Sequence, residues 1–115
     1  MPRSIPAGAA LVGALALLSI GCGAPVSSAA AEKAATHTVV MDGVKFEPAT
    51  LTVARGDTVV WVNKDPFPHT VTSKGAFDSH EIPAGRSWKY VARKAGDYAY
   101  VCTLHPNMQA TLTVK

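Results

Sequence analysis

A chain of 115 residues has room for one domain and not two. The formal charge is only +3, and the eleven basic and eight acidic residues are interspersed with no basic run, which points away from nucleic acid as a partner. The hydrophobic fraction of 48% is inflated by the first thirty positions, so the globular core must be small and compact.

Those first positions carry one charge, Arg3, and then none until Glu32, with an apolar centre from Ala9 to Ile20. A basic start, an apolar middle and small residues at the end describe a secretory signal peptide, and the absence of an Arg-Arg pair favours general secretion. The stretch "LLSIGC" resembles a bacterial lipoprotein signal. The resemblance implies a signal over 1–21, with Cys22 as the lipidated first residue of the mature protein. It also implies an exported product, periplasmic or on the outer face of a bacterial membrane and anchored there by lipid. Two alternatives stay open. Cleavage can fall later, after "APVSSAAA", or the uncharged run from Ser4 to Ala31 can remain as a membrane anchor, since about 20 residues suffice. Pro6, Pro25, Ser27 and Ser28 weaken that last option. Residues 22–36 read as a flexible tether of small residues, and 37–115 as the folded domain. Loss of Arg3 leaves a formal charge of +3 − 1 = +2.

From residue 37 the periodicity is two, not 3.6. "HTVVM" opens the series. "TLTVA" alternates threonine with Leu51 and Val53, and "TVVWVN" is β-branched and aromatic. "PHTVTS" is a further candidate. "SWKYV" sets Trp88 and Tyr90 on one face, and "DYAYVC" does the same for Tyr98, Tyr100 and Cys102. "ATLTVK" turns Ala110, Leu112 and Val114 inward. Turn signals separate these runs: "DG", "RGD", "KDPFP", "PAG" and "KAGD". About seven short strands with such turns predict an all-β fold, a Greek-key β-sandwich. Met41 reads as core, while His37, His80, Asp78 and Glu81 read as solvated.

One stretch carries the chemistry. "CTLHPNM" sets Cys102, His105 and Met108 three residues apart, on a predicted loop between two antiparallel strands whose second begins near Gln109. With Cys22 lipidated, Cys102 has no disulfide partner, and a lone cysteine in an oxidising compartment needs burial, reactivity or a metal to account for it. Thiolate, imidazole and thioether together select a soft or borderline metal, and a His₂Cys set with a weak axial Met is the copper electron-transfer site. The second histidine must be His37, His69 or His80. His69, in "PFPHTVT", is preferred because flanking prolines hold its loop stiff. The plain alternatives are a satisfied loop histidine at 69, a small buried hydrophobe at 102 and core filler at 108.

The stretches "MDGVKFEPATLTVARGDTVVWVNKDPFPHTV", "FDSHEIPAGRSWKYVARKAGDYAYVCTLHPNM" and "ATLTV" resemble the cupredoxins, the small blue type 1 copper proteins of plastocyanin/amicyanin type. The C-x-x-H-x-x-M spacing is similar to the short amicyanin-type loop. The resemblance implies one type 1 copper held by His69, Cys102, His105 and Met108. Thr70 takes a place where family members often bond across to the cysteine loop, and Asn63 is a weaker supporting residue. The resemblance also implies transient docking of redox protein partners around the edge of His105, near Phe67, Pro68 and Pro106. The protein would be a monomer carrying single electrons and not an enzyme, since no strong coordination position is left for a substrate. A copper carrier or buffer without redox partners, and a metal-free interaction module, remain as competing readings.

Overall fold

The computed structural model describes residues 33–115, so the signal segment, Cys22 and most of the tether lie outside the described residues. Nine strands follow in order: β1 (Thr36–Met41), β2 (Phe46–Glu47), β3 (Thr50–Val53), β4 (Thr58–Asn63), β5 (Thr72–Ser73), β6 (Phe77–Asp78), β7 (Ser87–Val91), β8 (Gly96–Cys102) and β9 (His105–Val114). They form two sheets, in the orders β2-β1-β4-β7 and β3-β9-β8-β5-β6. β1 pairs parallel with β4, and β3 parallel with β9, so the chain crosses between sheets as a Greek-key β-sandwich requires.

The strands form where side chains alternate. In β4, Val59, Trp61 and Asn63 are buried and their neighbours half-buried. In β9, Met108, Ala110, Leu112 and Val114 are buried in turn. An aromatic cluster fills the space between the sheets. Trp61 is wholly buried and donates its indole N–H to Tyr100 Oη at 3.1 Å, while Phe46 meets the Tyr100 ring edge-on at 4.7 Å. Rings of this size bury roughly 150–250 Å² each and dominate a small core. Burial pushes the Tyr100 phenol up to about 12, so it stays neutral as the indole's acceptor.

Two features differ from the sequence reading. The described residues form nine strands where about seven were expected, the added ones being β2 and β6, each two residues long and too short to show a period. His37 is half-buried, with Nε2 2.9 Å from Asp57 Oδ2, and is not freely solvated. His80 is exposed as expected, Met41 is core, and Asp78 lies on β6 facing solvent.

Candidate metal centre

Cys102 is the last residue of β8 and is wholly buried. Only Thr103 and Leu104 turn before β9 begins at His105, so "CTLHPNM" is a tight hairpin and not the open loop expected. β9 begins four residues before the expected start at Gln109 because Val101 pairs with Gln109 and Cys102 with His105, across a register shift. Pro106 can sit in this strand because β3 lies beside β9 only from Thr111 onward, leaving the segment around 106 as a free edge where no N–H is needed. The shift matters chemically, since a bulge re-aims the side chains beside it.

His69 reaches the same place from the connection between β4 and β5, outside both sheets. Its backbone forms an isolated bridge with Ile82, through His69 N–H to Ile82 O at 3.2 Å and the reverse at 2.7 Å. The preceding loop is tied down by Asn63. The Asn63 side-chain amide donates to Phe67 O at 2.9 Å and Ile82 O at 3.0 Å, and its Oδ1 accepts from Asp65 N–H at 2.9 Å. Asn63 thus holds the loop backbone, and its side-chain hydrogen bonds go to Phe67, Ile82 and Asp65 and to neither histidine ring. Phe67 lies against both rings, at centroid distances of 5.3 Å to His69 and 5.5 Å to His105.

Sequence reasoning passed over Asp65. Its carboxylate accepts from His69 Nε2 at 2.7 Å, from Gly43 N–H at 2.7 Å and from Val44 N–H at 2.9 Å. Burial alone would raise the Asp65 carboxyl, but these hydrogen bonds hold it below the usual carboxylate range. An ionised carboxylate only accepts, so His69 Nε2 carries a hydrogen, and in that tautomer of the imidazole Nδ1 is the nitrogen with the lone pair. The only sequence signal for this role was a carboxylate four residues before a histidine, in a proline-rich loop where that spacing fixes no geometry.

His69 Nδ1 lies 3.6 Å from Cys102 Sγ, and so does His105 Nδ1. All three atoms fall within 4.8 Å of one another. One thiol hydrogen can serve only one ring. A cation between the three atoms takes all their lone pairs at once. Metal–sulfur bonds of about 2.3 Å and metal–imidazole bonds of about 2.0 Å, set about 110–120° apart, separate sulfur from nitrogen by roughly 3.6 Å. The spacing therefore fits a metal ion, and the thiolate–imidazole chemistry suits a soft or borderline one.

Around this group, Thr70 N–H donates to Cys102 Sγ at 3.3 Å, which holds the sulfur against the His69 segment. The Thr70 hydroxyl accepts from Thr103 N–H at 2.9 Å, joining the two sequence segments that carry His69 and Cys102. Met108 is buried on β9, facing inward on the strand that His105 begins. His105 is half-buried, Pro68 half-buried and Pro106 exposed. Beside them Phe67 is 36% exposed and Leu104 45%, the large hydrophobic side chains most open to solvent among the described residues. Leu104 was not singled out from sequence, because an isolated leucine in a short turn looks like any other loop residue.

Residues 9–114 match the model of the cupredoxin-like domain. The chain belongs to the cupredoxin-like family. Among relatives of this cupredoxin, amicyanin of Paracoccus denitrificans is 31% identical over 94 residues, covering 75% of this chain and 72% of that protein. Plastocyanin of Scenedesmus fuscus is 32% identical over 88 residues, covering 61% of this chain and 86% of that protein. Among solved structures, the Cu(I) form of an amicyanin variant superposes with a TM-score of 0.67 at 28% identity, covering 76% of this cupredoxin and 89% of that chain. A copper-containing nitrite reductase from Thermus scotoductus also superposes, with a TM-score of 0.65 at 28% identity. This chain covers only 22% of it, so the resemblance is to one part of a larger protein.

Proposed function

We propose that this cupredoxin binds one copper ion in a type 1 site and carries single electrons between protein partners outside the cytoplasm. The observation that carries the reading is the convergence of His69 Nδ1, Cys102 Sγ and His105 Nδ1 within 4.8 Å. His69, Cys102 and His105 would hold the copper strongly and Met108 weakly. Copper, when bound, supplies a one-electron couple between Cu(I) and Cu(II). The chain's own residues do the rest. Cys102 would ligate as the thiolate, so loading the site releases a proton, and the Thr70 N–H holds the sulfur in place. Asp65 fixes the His69 tautomer and ring direction. Asn63 and the prolines hold the His69 loop against the frame, so the ligands move little when the charge changes.

No strong position remains for a substrate, which supports a carrier over an enzyme. His105 is the ligand nearest solvent, and Phe67, Pro68, Leu104 and Pro106 give its rim an apolar surface. A small patch of this kind suits weak, transient redox partners. The chain acts as a monomer. It is exported by the segment over 1–21, followed by the tether of 22–36 and the domain of 37–115. Lipid on Cys22, which lies outside the described residues, anchors it at the periplasmic or outer membrane face.

Titration of the purified protein with Cu(II), followed by visible spectroscopy, tests the reading in wild type and Cys102→Ser. An intense thiolate-to-copper band in wild type is expected, bleached by ascorbate, restored by oxidant and absent from the variant. A colourless wild type, or the same weak copper signal in both proteins, overturns it. A band that ascorbate cannot bleach favours a copper buffer.

A further inference from the structure

The hydroxyls beside Cys102 form a chain whose direction can be worked out atom by atom. Asp78 Oδ1 accepts from Thr72 Oγ1 at 3.1 Å and from His80 N–H at 2.9 Å. The His80 N–H, opposed by burial and assisted by the Thr72 hydroxyl and the His80 ring, holds the Asp78 carboxyl below the usual carboxylate range. It is therefore ionised at neutral pH and only accepts, and the single Thr72 hydroxyl hydrogen is committed to it. Thr72 Oγ1 lies 3.0 Å from Thr70 Oγ1. Thr72 has no hydrogen left, so Thr70 donates. With its own hydrogen directed at Thr72, Thr70 Oγ1 must accept from both the N–H and the hydroxyl of Thr103, at 2.9 and 3.1 Å.

The sheet register supports this chain. Thr72 on β5 pairs with Asp78 on the edge strand β6 to one side and with Val101 on β8 to the other, which sets the carboxylate across β5 from the segment leading into Cys102. We propose that Asp78, exposed at the sheet edge, is a positioning residue that acts through Thr72 and Thr70 to fix how Thr103 is held, and with it the turn joining Cys102 to His105. Without the carboxylate, Thr72 is free to donate to Thr70, which can then turn its hydrogen towards Thr103. The chain loses its single direction, and the grip on Thr103 loosens. Asp78 touches neither the sulfur nor the histidines, and its effect passes wholly through hydroxyl order. The consequence for copper rests on the proposed function; the hold on Thr103 does not.

The test uses the full chain, isotope-labelled and copper-free, with amide hydrogen exchange read at Thr103 and, as remote controls, at Val59 and Leu112. Asp78→Ala and Thr72→Val should each accelerate exchange at Thr103 by roughly three- to tenfold, the scale set by one partly exposed hydrogen bond. The double variant should go no further than Thr72→Val alone, because both act on one path. Thr72→Ser should restore the wild-type rate. In copper-loaded protein, the midpoint potential and the thiolate-to-copper band should shift the same way in Asp78→Ala and Thr72→Val. Unchanged exchange at Thr103 in Asp78→Ala, additive effects in the double variant, or equal acceleration at the control amides overturns the proposal. Absence of a copper band in wild type defeats the functional reading instead, and the copper-free exchange data still decide whether Asp78 holds Thr103.

Discussion

Two histidine–aspartate pairs flank β4, and they are built alike. Asp57, just before the strand, accepts from His37 Nε2 at 2.9 Å and from the N–H groups of Ala35 and Ala54. Asp65, just beyond its other end, accepts from His69 Nε2 at 2.7 Å and from the N–H groups of Gly43 and Val44. Each carboxylate thus holds one imidazole and two backbone amides. The difference lies in what surrounds them. The His37 side chain is 27% exposed and its pair fastens the start of β1 to the turn before β4. The His69 side chain has no exposure, and its free nitrogen faces a buried thiol and a second imidazole. A His–Asp pair is therefore not a site in itself. It becomes one when the ring's second nitrogen is aimed at other donors in a dry place.

The largest contrast should come from removing each histidine. His69→Ala should weaken copper binding by roughly a hundredfold or more, beyond the usual effect of losing a ligand's outer partner. His37→Ala should leave affinity unchanged, and competition against a chelator measures both. Equal losses would break the distinction between the two ends. Next come the carboxylates. Asp65→Asn should lower copper affinity by about 10–100-fold, whereas Asp57→Asn should lower only the urea midpoint.

Acid sharpens the comparison further. The N–H of Ala35, His37 and the N–H of Ala54 hold the Asp57 carboxyl down to about 2 from an ordinary 3.8. A depressed carboxylate stabilises the fold fully above its unfolded value, and that contribution disappears as pH falls through the folded value. Thermal midpoints should therefore drop between about pH 4 and pH 2 in wild type, and less steeply in Asp57→Asn. A parallel pair of curves would show that Asp57 does not couple to folding.

The smallest effect concerns strain. The turn held by Asp65 has positive φ at Gly43 (68°) and at Val44 (60°). A β-branched residue is unfavourable there, at a cost of roughly 1–3 kcal/mol. Val44→Asn should therefore raise the urea midpoint by the equivalent of about 0.5 kcal/mol, after allowing for lost packing of the half-buried valine. Any fall in stability would mean that this packing outweighs the strain.

Most strands were legible because their residues alternate between two environments. "TVVWVN" and "SWKYV" coincide with β4 and β7 to the residue. The hairpin at Cys102 was less legible. Pro106 and Asn107 look like loop residues, and only the open flank of β9 and the register shift beside Cys102 let them extend a strand. Asp65 and Asp78 gave no local sign of their roles, since each acts on residues placed beside it by the sheet register.

The sequence by itself determined the donor types, their spacing on one short segment and the alternation that buries Cys102. These are local properties, carried by neighbouring residues and by side-chain chemistry. Only the tertiary structure decided which histidine joins Cys102 and His105, and which of two similar His–Asp pairs faces a metal-binding group. Those outcomes depend on contacts between residues far apart in the chain, such as the 33 positions between His69 and Cys102. Sheet pairing sets such distances, and no pattern within one segment encodes them.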